Sequence, residues 1–291
     1  EVAPTVVHSD WLDDGAPLAL TTPLHGQASL GLLVIPVIAS DAGAAASQMN
    51  QFSGTVQWFA SKGVVVAQVA VPLPGTAAGQ VNGAAWREAV ARRIVAARKA
   101  LAQRVASAEA LPLCLFGRDA ASYAVLAAVA NGAQPQCAIA LNPQLDPALL
   151  RPWSRVNTLE RLWYLNGDNT TLASWRRLYG GREVNGAAAA DGAPEKWTWP
   201  ADVDVMLAYE MFDPDQRPLA LSASRLASTL KKQGSRSTVY DSVTDATHPD
   251  RWLSTFHSDM LAFMLQTQIR RPDKPGSITV LPIETTAAPR Q

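Results

Sequence analysis

Three residues of this chain have the types and the order needed for covalent hydrolysis: Asp119, Asp213 and His248. Each follows a strand-like run. Leu113–Phe116 leads into Gly117-Arg118-Asp119-Ala120-Ala121-Ser122, which reads as a strand, a sharp turn and the start of a small-residue helix. Val203–Tyr209 precedes Asp213, with Asp215 nearby as the alternative acid, and Ser237–Val243 precedes His248. A nucleophile on a strand-to-helix turn, then an acid, then a histidine is one chain order of a nucleophile–acid–base triad. A carboxylate nucleophile attacks carbon to form an ester, which a histidine-activated water then cleaves. The same attack on an amide or an ordinary ester would give an anhydride. Asp119 therefore does not stand in for a serine in a peptidase; it would need an alkyl halide, an epoxide or another sp³ centre.

Each of these residues also has a plainer reading. Asp119 reads as a carboxylate at a helix N-terminus, where free N–H groups and the helix dipole favour negative charge, with Arg118 or a protonated His248 as partner. Such a site is stable and catalytically silent. Ser122, one turn further on, is a substitute nucleophile displaced from the strained position. Asp213 reads as a turn residue before Pro214 and His248 as a loop histidine before Pro249. His257 falls on the closing helix and reads as structural, while His8 and His25 sit near early turns. Trp153, Trp163 and Trp175 are pocket candidates against a background of ordinary packing.

The elements that must position these residues alternate along the chain. Antiparallel strands are expected at Val6–Val7, Leu18–Thr22 and Leu30–Ile35, with turns at Asp13-Asp14-Gly15 and His25-Gly26-Gln27. A helix over Ala44–Ser61 stops at Gly63. The nearly continuous apolar run Val64–Val71 predicts a parallel strand covered on both faces. Trp86–Val105 is amphipathic: Val90, Ile94, Ala97, Leu101 and Val105 form the buried stripe. Arg92, Arg93, Arg98 and Lys99 lie mostly off it and read as a solvated face. A strand at Leu111–Phe116, a helix at Ala120–Ala130 and a strand at Cys137–Leu141 follow. After the irregular stretch Asn142–Pro200 come the two later strands, a helix at Leu219–Gln233 and a closing helix at Arg251–Ile269. This alternation predicts an α/β fold with a mostly parallel twisted sheet and helices on both faces.

With these motifs in place, the chain resembles the catalytic domain of the prolyl oligopeptidase family, within the α/β-hydrolase superfamily, and its dipeptidyl-peptidase-like members in particular. The resemblance runs over roughly Val6–Leu265. It rests on Phe59–Val66, on Ser174-Trp175-Arg176-Arg177-Leu178-Tyr179-Gly180, on Asp213-Pro214-Asp215-Gln216-Arg217-Pro218 with the helix after it, and on Tyr240–His248. It implies Asp213 as triad acid and His248 as triad base. The departures are as informative. The family's serine aligns with Asp119, and the second elbow glycine is Ala121. The oxyanion loop of His-Gly-Gly-Pro type is replaced by Ile38-Ala39-Ser40-Asp41-Ala42-Gly43. Pro72-Leu73-Pro74-Gly75 stands where an Asn-x-Arg-Gly stretch is usual, and Tyr209-Glu210 where a His-Gly pair is common. Loss in several separate loops implies a degenerate elbow and a protein kept for binding or assembly. Retention of the acid and the histidine implies the alternative, an active hydrolase with Asp119 as nucleophile. Haloalkane dehalogenases and epoxide hydrolases, on the same general fold, use such an aspartate.

Composition sets the outer limits. The chain has 291 residues, and 25 Lys+Arg balance 25 Asp+Glu, so no broad basic field exists to hold nucleic acid. The longest apolar run, Leu30–Ala39, is too short to span a bilayer. The expected partners are a peptide, a small molecule or another protein, with oligomers allowed; no cofactor and no metal site is expected. Cys114 and Cys137 sit in strand-like runs and read as inert buried thiols, without a disulfide framework. The chain opens at Glu1 without a methionine, which reads as a processed secreted or periplasmic protein or a domain cut from a longer one. Residues 1–270 are expected to form a single domain, with 142–203 a cap-like insertion. The tail 271–291 is expected to add one edge strand at most.

Overall fold

A computed structural model describes residues 5–23, 30–72, 83–105, 111–118, 120–141, 143, 192–210, 217–242 and 249–269. The strands are β1 Thr5–Trp11, β2 Pro17–Pro23, β3 Gly31–Ala39, β4 Val64–Pro72, β5 Leu113–Arg118, β6 Cys137–Leu141, β7 Asp204–Glu210 and β8 Arg236–Ser242. The helices are α1 Ala42–Gln51, α2 Ser53–Ser61, α3 Gly83–Arg104, α4 Ala120–Ala130, α5 Arg217–Lys232 and α6 Pro249–Ile269, with a 3₁₀ turn at Pro194–Lys196.

All eight strands form one sheet in the order β1-β2-β4-β3-β5-β6-β7-β8. β2 runs antiparallel to both its neighbours, and every other pair is parallel. The C-terminal ends of β3 to β8 therefore share one edge, the usual ligand-binding edge of an α/β sheet. The period-2 alternation of strand side chains divides the core. Leu32 and Val34 of β3 face α3, α4 and α5, whereas Leu33 and Ile35 face α2 and α6. α1 covers Val37 and Ala70 with Ala45 and Met49. Strands buried on both faces need the nearly continuous apolar runs that the sequence provides.

Four features depart from expectation. β3, expected as an antiparallel strand, runs parallel to both β4 and β5, because β4 inserts between it and β2. Pro36 does not end β3, although a proline in a central strand forfeits a ladder donor. β3 pairs with β5 only over Leu32–Val34, so Pro36 lies past that ladder while its other side continues along β4. The helix expected over Ala44–Ser61 starts two residues earlier and breaks at Phe52 into α1 and α2. There the ring meets Phe116 edge-on, with centroids 6.2 Å apart. The cysteines are not thiols: Cys114 and Cys137 face each other across β5 and β6 and form a disulfide, with Cα atoms 4.6 Å apart. They are buried as expected, but sheet order brings together two residues that are 23 apart in sequence.

No helix among the described residues is long and apolar enough to cross a membrane. Most of the 142–203 segment and all of the 271–291 tail lie outside the described residues.

Candidate active site

The site is built around the junction of β5 and α4. One residue, number 119, separates them. A turn that short forces the strand backbone against the first turn of the helix, and Gly117 is where they meet. A Cβ there would lie 2.4 Å from the Ala121 carbonyl oxygen, 2.5 Å from its carbon and 2.7 Å from the Ser122 nitrogen. All three are backbone atoms with no rotamer to change, so only glycine fits. The sharp strand-to-helix turn read from the sequence is therefore present.

An aromatic stack behind α4 holds this turn in place. Tyr123, in the first turn of α4, stacks on Trp86 of α3 at 5.9 Å between centroids and meets Trp197 edge-on at 5.3 Å. Its hydroxyl donates to the Gly192 carbonyl at 2.5 Å. Trp86 Nε1 donates to the carbonyl of Pro72, the last residue of β4, at 2.9 Å. The Arg87 guanidinium lies 4.9 Å from the Trp197 ring centroid. The stack ties the elbow helix to the end of a second central strand and to the chain that re-enters the sheet before β7. The sequence marked Trp86 only as a helix start; nothing local to it signals the stack.

Next to the elbow strand, β3 ends at Ala39 and α1 begins at Ala42. Asp41 is the N-cap of α1. Its Oδ1 accepts the Ala44 N–H at 2.9 Å, and its Oδ2 accepts the Ser40 hydroxyl at 2.8 Å. These bonds, the Ala44 one foremost and with a smaller share from the Gly43 N–H, hold the Asp41 carboxyl below its ordinary range. A helix N-terminus at this edge is a ready source of oxyanion donors. Here the chain's own carboxylate takes those N–H groups.

Asp119, Asp213, Asp215 and His248 lie outside the described residues, and so do Trp153, Trp163 and Trp175. The structure places their flanking elements instead: β5, β7 and β8 end on the same edge of the sheet, in the chain order expected. Ser122 is fully buried inside α4, which removes it as a substitute nucleophile. His257 is buried, with Nε2 3.0 Å from Thr55 Oγ1 and its ring 5.1 Å from that of Trp58. It is structural, as its place on the closing helix suggested. No cluster of potential metal ligands occurs among the described residues.

No protein-family model and no curated protein matches the sequence. Solved structures do match. The Francisella virulence factor BioJ superposes with a TM-score of 0.62 at 11% identity, over 91% of this chain and 86% of that one. An esterase/lipase from an uncultured bacterium gives 0.56 at 14% identity, over 90% and 85%. The chain has the α/β-hydrolase fold. Dipeptidyl peptidase 4 from Porphyromonas gingivalis gives 0.56 at 12% identity, and there 89% of this chain covers only 36% of the other. This chain thus spans about a third of that peptidase. Esterases, lipases and peptidases all share the scaffold, so the α/β-hydrolase fold leaves the choice of chemistry to the site residues.

Proposed function

We propose that this α/β-hydrolase is a prolyl-oligopeptidase-like member that has lost serine-hydrolase chemistry, or nearly so, and is kept for binding a peptide, a small molecule or a partner protein. The observation that carries the reading is the β3–α1 turn. Asp41 engages the N–H groups of α1, so a carboxylate stands just past the end of the strand beside β5, where stabilising an oxyanion would call for donors. The elbow has changed as well, with Asp119 for serine and Ala121 for the second glycine. Two separate parts of the same machinery are altered, while the scaffold that supports them, Gly117 and the aromatic stack, is intact.

A second reading is favoured by the retained order of acid and histidine. In it Asp119 attacks an sp³ carbon, His248 activates the water that opens the resulting ester, and Asp213 orients His248. The two readings separate in one experiment. The protein, Asp119→Ser and His248→Ala are assayed against aryl esters, aminoacyl anilides, epoxides and alkyl halides. The first reading expects the unmodified protein to match the His248→Ala blank on every substrate. Turnover of an epoxide or halide that requires both Asp119 and His248 overturns it in favour of the second.

A further inference from the structure

On the same edge of the sheet as the elbow but toward the β1 side, a groove of about 450 Å³ separates α3 from the turn between β1 and β2. In a chain of zero net charge, α3 is strongly basic: Arg87, Arg92, Arg93, Arg98, Lys99 and Arg104 face a single acid, Glu88. These cations do different things. Arg93 is mostly buried; it pairs with Asp14 of the turn at 2.7 Å and donates to the Ala70 carbonyl at 3.0 Å. Arg104 pairs with Asp10 of β1. Both are struts that hold the turn against the helix. Arg93 thereby departs from the solvated face expected of it.

Arg92 and Lys99 are left on the groove side. Arg92 meets Glu88 at 3.5 Å, with both side chains more than 60% exposed, a pair that water screens almost fully. Lys99 makes no ion pair among the described residues. Helical geometry puts these two cations, seven residues apart, about 10 Å from one another on one face. Between them the groove floor is small and apolar, with Ala96 and Ala100 on the helix and Leu12 opposite. Trp11 lines the groove and is 58% exposed, and Val95, beside Lys99 on the helix, is 49% exposed. These are two of the four large hydrophobic residues exposed among the described residues. An exposed tryptophan beside two exposed cations is the composition of a binding hot spot rather than of idle surface.

We propose that this groove docks an extended acidic segment of a partner protein. Carboxylates three residues apart in an extended segment of polyproline-II type share one face and stand about 9 Å apart, close to the spacing of Arg92 and Lys99. A residue between them sets an aliphatic side chain beside the alanine floor. Asp13, on the turn wall, accepts a backbone N–H of the segment and repels a second row of acids, so the carboxylates face the helix. The proposal does not depend on whether the elbow is catalytic.

The probe is a fluorescein-labelled ten-residue peptide with Glu-Ala-Leu-Glu at its centre, followed by anisotropy against the whole chain. A second peptide carries Gln-Ala-Leu-Gln. Saturable binding of the first is expected, weakened tenfold or more by Lys99→Glu, by Arg92→Glu or by the glutamine peptide. Lys231→Glu, the same charge change on the exposed end of α5, should alter it less than twofold. Equal affinity for the two peptides, equal loss in Lys231→Glu and Lys99→Glu, or no binding at millimolar peptide would overturn the proposal. Circular dichroism of each variant confirms that it is folded before its affinity is read.

Discussion

His257 ties the stability of the fold to pH. Its ring is 5% exposed, packed between Trp58 and Phe59, with Lys62 reaching over the far partner. Burial pushes its pKa from the ordinary 6.5 down to about 4, because a charged imidazolium in that setting loses its hydration. The unfolded chain therefore takes up a proton near pH 6.5 that the folded chain refuses until about pH 4. Between those values the unfolded state binds more protons, so stability falls as pH falls. It is fully present above the unfolded value and fully lost below the folded one. At about 1.4 kcal/mol per unit, the loss between pH 7.5 and pH 4.5 is about 2.5 kcal/mol from this one residue. Urea unfolding of the protein and of His257→Gln across that range isolates the effect, since carboxylate protonation is common to both. The glutamine can still reach the Thr55 hydroxyl and does not titrate. The gap between the two stability curves should change by about 2.5 kcal/mol toward acid pH, with the variant relatively favoured. Parallel curves, or a His257 proton resonance that titrates near 6.5, would refute the reasoning.

Three further outcomes follow from the same structure. Gly117→Ala should cost about 3 kcal/mol or more, because its Cβ would run into three atoms of the Ala121–Ser122 peptide group, while Gly54→Ala in open space on α2 should raise the melting temperature slightly; equal melting temperatures for the two variants would count against the tight elbow. Replacing Cys114 and Cys137 together by alanine should lower stability by about 3 kcal/mol from the loop they close, and mass mapping of the unreduced protein should recover their peptides joined. Asp119→Ser alone should stay slow, and adding Asp41→Gly, a tolerated N-cap that frees the α1 N–H groups, should raise ester turnover about 100-fold or more; turnover by the single variant within tenfold of the double would show that Asp41 does not obstruct the site.

The sheet was legible because its strands carry their burial in their composition. Cys137–Leu141 is apolar throughout and Val64–Val71 apolar but for Gln68, as strands covered on both faces are, and the alternation with helices predicted parallel order. Most of the misses come from contacts between residues far apart in sequence. Only Gly54, two residues on, hints at the break at Phe52, and the ring's packing becomes intelligible only with Phe116 beside it. The cysteines meet because β6 lies next to β5, and spacing alone does not encode that. Arg93 looked solvated because its partners, Asp14 and the Ala70 carbonyl, come from other elements.

The site divides along the same line. The side-chain part of the proposed site is written in the sequence: an aspartate between a strand and a helix, then an acid, then a histidine. Its backbone part is not, because donors for an oxyanion are N–H groups that every residue but proline carries. What matters is whether those groups are free, and that depends on one neighbouring side chain. An Asp before Ala-Gly-Ala is a recognisable N-cap, but a helix expected to start at Ala44 hides it, because only a start at Ala42 puts Asp41 in the cap position. With the start corrected, Asp41 turns an apparent absence of a glycine motif into a positive feature, a carboxylate bonded to the donors that motif would have offered. A missing motif is compatible with new chemistry at the same site. Donors already occupied by the protein itself are harder to reconcile with acyl transfer, and they leave sp³ chemistry, which needs no carbonyl oxyanion, as the active reading for the elbow to be tested against.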